Sequence, residues 1–495
     1  MPQLRVERAS DSVEVAGDKS GASATSHEHD HDYSRIFGIE TEYGVSVTGT
    51  DKPCDAGQVA MMMFQPVVSQ ARSTNTYLSN GARLYLDVGS HPEYATAEAR
   101  DPMTALLQDM AGERVMASLA RDAQQRLRRL YGEQAAVHVF KNNVDSEGHS
   151  FGCHENYLVR RSVSLKTIER ELIPFLVTRP LFCGAGRIDE QGAFQLTQRA
   201  DFLDDAVSSA TTRSRPMVNT RDEPHADADR FRRLHVIVGD SNRSQVATWM
   251  KLATTHLVLC VIEEHQRSGG MSPFASCALA DPGQAIKTVS RDMTGKAKLA
   301  LSEDVPVRRE YSALDIQRVY LNAAQRFVAG HADAMDGILP DAAQVLELWK
   351  QALDTVESGQ WERLSTWVDW AAKRRFIEAM RRRHPQLDAA RLMQLDLNYH
   401  DIANGTVVES LRRHGAMRTL LGEDAIAQAM ATPPSNTRAA LRGAFVAAAL
   451  ASGAQWSCDW THVTLGHPVR EDCELLDPFN ARPTPDYLRV MAALG

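Results

Sequence analysis

Apolar and polar residues alternate along four short stretches of the chain, a period-two pattern that predicts β-strands with one buried face. Each stretch has a plain apolar face and, opposite it, a face of charged or hydrogen-bonding side chains. The polar positions are Glu40 and Glu42 in the first stretch, Arg83, Tyr85 and Asp87 in the second, His154 and Asn156 in the third, and Arg233 and His235 in the fourth. If these strands are neighbours in one mostly antiparallel sheet, their polar faces form a common platform of carboxylates, imidazoles and arginines. An edge strand with a solvated outer face is the alternative for any one of them.

Other parts of the chain have the apolar spacing of amphipathic helices. Asp101 and Pro102 make a good N-cap and first-turn pair, so one long helix is expected over 103–131. Two strands, at 137–141 and 150–159, are separated by a polar turn with glycine and are expected to pair as a hairpin. Further helices are expected over 246–266, 313–329, 342–357, 360–382, 388–395 and 437–451.

Composition along the chain predicts three regions. Residues 1–32 are polar and lack a sustained hydrophobic period, which predicts a disordered tail. Histidines alternate with acidic residues over 27–32, but a flexible segment without supporting contacts would hold a metal ion only weakly. The sequence TPPS at 432–435 predicts a boundary between a large domain, 33–431, and a small C-terminal domain, 432–495.

Charge and cysteine content narrow the class of protein. The 495 residues carry a formal net charge of -8, which disfavours a nucleic-acid binder because phosphate neutralisation requires a basic surface. The seven cysteines form no CxxC pair, which predicts reduced thiols in a cytoplasmic protein. The N-terminus has no apolar leader, and the longest apolar run, 252–262, is interrupted by two threonines and a histidine. Neither secretion nor a membrane span is predicted.

The pair Glu40 and Glu42 is the first candidate for chemistry. Carboxylates two residues apart on a strand point the same way, and burial makes their repulsion costly unless a cation offsets it. Oxygen ligands of this kind suit Mg²⁺ better than zinc. Two solvated glutamates are the alternative. For His154 the alternatives are a ligand or phosphate contact and an ordinary structural histidine.

A nucleotide would have to bind on the sheet rather than in a glycine-rich loop. The chain has neither a GxxxxGK[ST] sequence nor a GxGxxG sequence after a strand. Arg213, Arg215 and Arg221 lie in a loop-like stretch, 209–227, where their guanidinium groups could clamp phosphate or carboxylate oxygens. Surface ion pairs are the alternative for these three arginines.

Longer motifs give a specific resemblance. The stretches GIETEYGV, NGARLYLDVGSHPEYATAE, SFGCHENYL, RLHVIVGDSN and DWTHVTL resemble the Pup–protein ligase family, the PafA-type relatives of glutamine synthetase and the carboxylate–amine ligases. The likeness runs from Arg35 to the C-terminus and leaves the tail outside it. It implies an α+β fold, in which helices pack on a curved, mostly antiparallel sheet of a large glutamine-synthetase-like domain. A small C-terminal domain would contribute to the nucleotide site.

The resemblance also implies a reaction and its residues. ATP would phosphorylate the C-terminal glutamate of the small protein Pup, and a lysine of a protein substrate would then attack it, marking that substrate for proteasomal degradation. Matched residue by residue, the likeness puts magnesium binding on Glu40, Tyr85 and Glu93, ATP binding on Arg83, Thr96 and Trp460, and the proton acceptor on Asp87. We add Glu42 and His154 as further metal or phosphate contacts. The cofactors expected are therefore ATP and Mg²⁺, and the partners are Pup and lysine-bearing proteins.

Three other activities are compatible with parts of this pattern. A depupylase, which is also the Pup deamidase, has the same fold but a long insertion between the first two strands, whereas the connection 45–79 is short here. A scaffold without activity is disfavoured by the intact acidic and basic set. A small-molecule glutamate–amine ligase is disfavoured because the likeness covers nearly the whole chain.

Overall fold

The structure is a computed structural model that describes residues 33–87, 91–145, 148–208, 215–305, 310–467 and 470–494. The predicted tail, with its histidine-rich stretch, and Arg213 lie outside the described residues. All seven cysteines are free, as predicted from their spacing.

Strands of the described chain form one large sheet and several small ones. The strands are β1 Phe37–Glu42, β2 Gly44–Thr48, β3 Asn75–Tyr77, β4 Arg83–Leu86, β5 Pro92–Ala95, β6 Ala136–Phe140, β7 Cys153–Arg160, β8 Arg187–Ile188, β9 Phe194–Gln195, β10 Asp205–Ser208, β11 Pro216–Asn219, β12 Phe231–Val236, β13 Lys298–Leu299, β14 Tyr311–Ser312, β15 Gln455–Cys458, β16 His462–His467 and β17 Glu471–Glu474. The large sheet has the order β10-β11-β12-β7-β1-β5-β4-β3 and is antiparallel except for the β10–β11 pair. The four strands predicted to share one mostly antiparallel sheet, β1, β4, β7 and β12, all lie in it. Strands β12, β7 and β1 are direct neighbours as predicted, whereas β5 separates β4 from β1.

Helices cover the sheet and fill the second half of the chain. They are α1 Ala56–Ala71, α2 Pro102–Tyr131, α3 Leu165–Thr167, α4 Ile173–Thr178, α5 Pro180–Cys183, α6 Gln245–Ser268, α7 Pro282–Arg291, α8 Ala313–Gly330, α9 Ala332–Ile338, α10 Ala342–Glu357, α11 Asp369–Arg383, α12 Ala389–His400, α13 Val407–Arg413, α14 Glu423–Ala429, α15 Ala439–Ser452 and α16 Pro485–Ala492. The side chain of Asp101 caps α2 by accepting a hydrogen bond from the Thr104 N–H at 2.7 Å, as its sequence position predicted.

The helix expected over 360–382 is divided in two. A 3₁₀ segment, Trp361–Thr366, precedes α11, and the chain leaves helical geometry at Trp367. The Ser244 hydroxyl donates to the Trp367 carbonyl at 2.6 Å, so that carbonyl is engaged by another part of the fold. The Asp369 carboxylate accepts the Ser244 N–H at 3.0 Å and therefore joins the same contact with the start of α6. Tertiary contacts thus override the continuous helical period of the sequence.

The predicted hairpin of residues 137–141 with 150–159 is wrong. Strand β6 pairs with β2 in a separate two-stranded sheet, whereas β7 pairs with β1 and β12 in the large sheet. The reason is that the two strands bury their apolar faces in different cores. Val137 and Val139 of β6 pack with Tyr43 and the middle of α2, while Tyr157 and Val159 of β7 belong to the main core.

Helix α6 is central to the main core. By length and composition alone it is long and apolar enough to cross a membrane, but the whole of its apolar stretch is buried inside the fold. Its surroundings are therefore those of a buried core helix. The C-terminal elements α15, β15–β17 and α16 have an apolar cluster of their own, which Tyr77 of β3 joins.

A buried ion-pair network on α2 predicts acid sensitivity. Burial raises the pKa of Glu113, but Arg243 and Lys141 outweigh it and lower that pKa from 4.5 to about 2. Because the folded pKa is depressed, the carboxylate stabilises the fold fully above pH 4.5 and loses this contribution as the pH falls through about 2. The free energy of unfolding should therefore fall by an amount of the order of 3 kcal/mol over that interval. Urea denaturation of the wild type and Glu113→Gln at several pH values checks this, and parallel pH dependences in the two proteins would contradict it.

Candidate metal and nucleotide site

The strand register places the predicted acidic and aromatic side chains in rows across the large sheet. Glu42 of β1 is paired with Glu93 of β5, and Glu93 is paired in turn with Tyr85 of β4. On the other side of β1, Glu40 is paired with His154 of β7. Because directly paired residues project from the same face, these five side chains lie on one surface of the sheet.

Three of the side chains on this surface bring their donor atoms together. One donor atom from each of Glu40, His154 and His235 lies within 4.8 Å of the other two. The Tyr85 hydroxyl donates to Glu40 Oε1 at 2.9 Å, and His154 Nδ1 lies 3.6 Å from Glu40 Oε2. The rings of His154 and His235 are 4.8 Å apart between centroids. The cluster has the ligand types and the spacing of a metal site.

The carboxylates of the site repel one another. Glu93 is buried, and burial together with the charges of Glu40 and Glu42 raises its pKa well above 4.5. Burial also raises the pKa of Glu40, but the hydrogen bond from His154 is the largest of the effects that oppose it, and the net shift is downward. Burial and the two carboxylates at 40 and 93 raise the pKa of Tyr85, so its phenol stays protonated and remains a hydrogen-bond donor. A cation would relieve the repulsion between these acids.

His235 is suited to bind a metal ion through a neutral imidazole. Burial first, and then the charge of His154, lowers the pKa of His235 to about 3. At neutral pH its ring is therefore uncharged, which leaves a nitrogen lone pair available to a ligand. The sequence placed this histidine on the polar face of its strand, but the metal residues selected from the sequence did not include it. Period-two alternation was the only signal for its position.

The C-terminal part of the chain closes a small cavity against this face of the sheet. The cavity has a volume of about 100 Å³, and Glu40, Thr96, His225, Arg438 and Trp460 are among its lining residues. Trp460 packs edge-on against the Tyr77 ring, with centroids 5.2 Å apart. The lining thus combines an indole, which can stack on a nucleobase, with Glu40, a carboxylate of the metal cluster.

Arg83 lies next to this cavity rather than in it. It lines an adjoining cavity of about 1220 Å³ that also includes Trp460. Its guanidinium lies over the Tyr85 ring, 4.3 Å from the centroid, and its Nε donates to Asn75 Oδ1 at 2.9 Å. The cation is thus beside the acidic row and next to the proposed base-binding indole.

Asp87 immediately follows the last residue of β4 and is exposed. Its backbone N–H donates to the His91 carbonyl at 3.0 Å, and residues 88–90 between the two lie outside the described part of the chain. The carboxylate is not part of the three-donor cluster. It stands at the end of the strand that carries Arg83 and Tyr85, free of a structural ion pair among the described residues.

A comparison with protein families decides the affiliation. The model described as "Pup-ligase protein" matches residues 35–464. The chain belongs to the Pup-ligase family. It is 58% identical over 499 residues to the Pup--protein ligase of Bifidobacterium adolescentis, with 100% of both chains covered. It is 62% identical over 465 residues to the Pup--protein ligase of Bifidobacterium dentium, covering 94% of this chain and 95% of that one.

Solved structures of this family have the same fold. A crystal structure of the complex between Pup and its ligase PafA matches with a TM-score of 0.84 and 36% identity, covering 93% of this chain and 92% of that one. A structure of the Pup ligase PafA in complex with ADP matches with a TM-score of 0.76 and 36% identity, covering 90% of this chain and 97% of that one. The resemblance to this family and the mixed α and β fold, with a large mostly antiparallel sheet, are therefore confirmed.

The sequence did not predict one buried ion-pair group of this Pup-ligase chain, formed by Glu98, Arg438 and Arg442. Glu98, just after β5, accepts hydrogen bonds from Arg438 Nε at 2.8 Å and Arg442 Nη1 at 3.0 Å, and it also pairs with Arg442 Nη2. Burial raises the pKa of Glu98, but Arg442 and Arg438 lower it to about 2. The three residues fix the C-terminal elements, and with them Trp460, against the sheet. Their separation of more than 300 positions left no local signal in the sequence.

Proposed function

We propose that this chain is an ATP- and Mg²⁺-dependent ligase that joins the C-terminal glutamate of Pup to lysine ε-amines of protein substrates. The observation that carries the proposal is the donor cluster of Glu40, His154 and His235 beside the cavity lined by Thr96 and Trp460. The relatives named Pup--protein ligase support the reaction, and the PafA structures with Pup and with ADP support the two substrates. Free thiols in all seven cysteines support a cytoplasmic setting.

The carboxylates of the site fit magnesium, and His154 and His235 stand beside Glu40 as nitrogen donors. Glu40, Tyr85 and Glu93 would hold the ion, with Glu42 and His154 as further contacts. Carboxylate oxygens are the ligands that Mg²⁺ prefers, and close buried carboxylates need a cation. When bound, the ion would neutralise phosphate oxygens of the nucleotide. The hydroxyl of Tyr85 would orient Glu40 through the 2.9 Å hydrogen bond rather than supply a charged ligand.

The nucleotide would lie between the sheet and the C-terminal elements. Trp460 would stack on the adenine, and Thr96 would line the same cavity. Arg83, which lines the adjoining cavity, would neutralise part of the negative charge of the phosphates. Residues 432–495 would thus form a small domain that completes the site of the large domain, 33–431.

The chemistry would proceed in two steps. The γ-phosphoryl group of ATP passes to the γ-carboxylate of the Pup glutamate, releasing ADP. A lysine amine then attacks the activated carbonyl, a C–N bond forms, and phosphate leaves with the C–O bonding electrons. Asp87 takes the proton that the amine must lose. The product is an isopeptide-linked conjugate that marks the substrate for proteasomal degradation.

The experiment that tests the function is a conjugation assay. Purified protein is incubated with Pup ending in glutamate, ATP, Mg²⁺ and a lysine-bearing substrate. A ligase produces a heavier conjugate by gel electrophoresis and mass spectrometry. The alternative, a depupylase of the same fold, would only cleave a preformed conjugate, and that result would overturn the proposal. The short connection between β2 and β3 and the names of the relatives favour the ligase.

Trp460→Ala is expected to weaken ATP binding by about 10-fold, the equivalent of about 1.4 kcal/mol for a lost stacking contact. At saturating ATP the rate of conjugation should change little, because the indole contacts no reacting atom. Isothermal titration calorimetry with ATP measures the effect. Trp361→Ala, on the 3₁₀ segment before α11, is the matched control. Equal weakening by both substitutions would contradict the assignment.

A further inference from the structure

Arg199 differs from the other buried arginines of the described chain. Five buried arginines each lie within ion-pair distance of a carboxylate: Arg35, Arg179, Arg243, Arg438 and Arg442. Arg199 is only 2% exposed, and among the described residues no carboxylate lies within ion-pair distance of it. Burial lowers the pKa of Arg199 to about 10, and the charge of Glu42 acts against that shift across a longer distance. The Nε of Arg199 is also buried without a hydrogen-bond partner. An unpaired buried guanidinium is costly, so a purely structural role does not explain it.

The guanidinium of Arg199 acts on one peptide group. Its Nη1 donates to the Phe151 carbonyl, and Asn143 Nδ2 donates to the same oxygen at 3.2 Å. The other end of that peptide group, the Gly152 N–H, donates to Glu42 Oε2 at 2.7 Å. A cation at the oxygen of a peptide polarises it and strengthens the hydrogen bond that its N–H gives. The charge of Arg199 therefore acts on Glu42 in two ways, directly and through the polarised peptide group that holds the carboxylate.

The side chain of Phe151 reaches the other proposed catalytic element. Its ring packs on the His91 ring with centroids 5.0 Å apart, and the His91 carbonyl accepts the Asp87 N–H at 3.0 Å. Phe151 is 3% exposed, so the contact is a fixed part of the interior. The backbone of Asp87 is therefore connected, through His91, to the same residue whose carbonyl accepts from Arg199.

Gly152 completes the arrangement. A side-chain carbon at this position would lie 2.1 Å from His154 Nε2, so only glycine leaves room for that imidazole. The backbone N–H is thereby presented to Glu42 while the histidine faces the metal cluster.

We propose that Arg199 and Phe151 are positioning residues of the active site. Arg199 fixes Glu42 through the peptide group between Phe151 and Gly152, and the Phe151 ring fixes the backbone of Asp87 through His91. The inference rests on the proposed function, because it assigns Glu42 to metal binding and Asp87 to proton transfer. Phe151 would therefore contribute twice. Its backbone carbonyl helps to hold Glu42, and its ring helps to hold Asp87.

The proposed role of Arg199 is tested by the affinity of the protein for a metal ion, a measurement that needs no catalytic turnover. Mn²⁺ binding in the presence of ADP is measured by electron paramagnetic resonance for the wild type, Arg199→Met and Arg199→Lys. We expect at least about 10-fold weaker binding for Arg199→Met, the size of effect seen when a partner of a metal ligand is lost, and a smaller loss for Arg199→Lys. Arg170→Met, a surface arginine paired with Asp304, is the charge control. Wild-type affinity in both Arg199 variants would overturn this role.

The proposed role of Phe151 is tested by a split between kinetic constants. Phe151→Leu keeps the backbone carbonyl but removes the ring contact with His91. We expect the kcat of conjugation to fall at least about 10-fold, with the KM for ATP and the Mn²⁺ affinity unchanged. Phe274→Leu, at a buried ring stacked on Tyr320 elsewhere in the core, is the control for lost packing. A lower urea midpoint with an unchanged kcat would assign Phe151 to stability alone and overturn the proposal.

These outcomes are separable from failure of the function itself. If the wild type makes no conjugate, the proposed function fails, whereas the Mn²⁺ comparison still reports on Arg199 and Glu42. If the wild type makes conjugates and both variants behave as their controls do, only the positioning proposal fails. Arg199→Lys keeps the test decisive if Arg199→Met does not fold.

Discussion

Replacing Asp87 by asparagine is expected to lower the kcat of conjugation by about 10²–10⁴-fold, the usual contribution of a general base. A free lysine amine has a pKa of about 10.4, so at neutral pH it carries a proton that it must lose to become a nucleophile. The asparagine side chain has nearly the same shape but cannot accept that proton. Gel-based conjugation rates at saturating Pup, ATP and substrate measure the effect.

The same substitution should leave the first step of the reaction intact. Asp87 is exposed and stands outside the Glu40 cluster, so Pup-dependent release of the first equivalent of ADP should persist in Asp87→Asn. Asp333→Asn, at an exposed position of α9, is the matched control and should conjugate normally. Wild-type conjugation by Asp87→Asn would remove this residue from the mechanism.

Glu98→Gln is expected to destabilise the protein by about 3–5 kcal/mol, the usual cost of removing one partner from a buried ion pair. The glutamine is close in size, but it leaves Arg438 and Arg442 buried without a carboxylate. Both guanidinium groups would keep their hydrogen bonds to backbone carbonyls, including Gly81 for Arg442. The loss should therefore be electrostatic rather than steric. Urea denaturation at neutral pH measures it.

The position of the ion pair predicts a second effect of Glu98→Gln. Because Arg442 also lies over the Trp460 ring, 4.9 Å from its centroid, loosening it should weaken nucleotide binding as well as stability. Glu378→Gln, which removes a surface ion pair with Arg374, is the control and should cost no more than about 1 kcal/mol. Equal unfolding free energies for Glu98→Gln and this control would contradict the buried-pair interpretation.

The sequence was most informative about which side of each strand is buried. Alternation placed Glu40, Tyr85, His154 and His235 on polar faces, and the structure has all four on one sheet surface. Alternation does not determine which strands pair, since pairing partners are chosen by distant apolar surfaces. For that reason the hairpin of β6 with β7 was predicted wrongly. Their connection is held instead by buried Asn143, whose side chain reaches Ser241.

Ion pairs between residues far apart in the chain could not be predicted from local sequence patterns. Glu98 is an ordinary acidic residue after a strand, and its two arginines lie near the other end of the chain, Arg438 at the N-cap of α15 and Arg442 within that helix. Arg199 similarly has no local feature that separates it from a surface arginine. Whether a charge is paired depends on tertiary burial, which hydrophobic periodicity does not report.

The central claim is that Glu40 is the focus of a metal–nucleotide site on the sheet. Its most direct test is an electron paramagnetic resonance titration of Mn²⁺ with ADP present, comparing the wild type, Glu40→Gln and the surface control Glu169→Gln. We expect Mn²⁺ to bind at least about 10-fold more weakly to Glu40→Gln, and to bind the control with wild-type affinity. Equal Mn²⁺ affinity in all three proteins would contradict it.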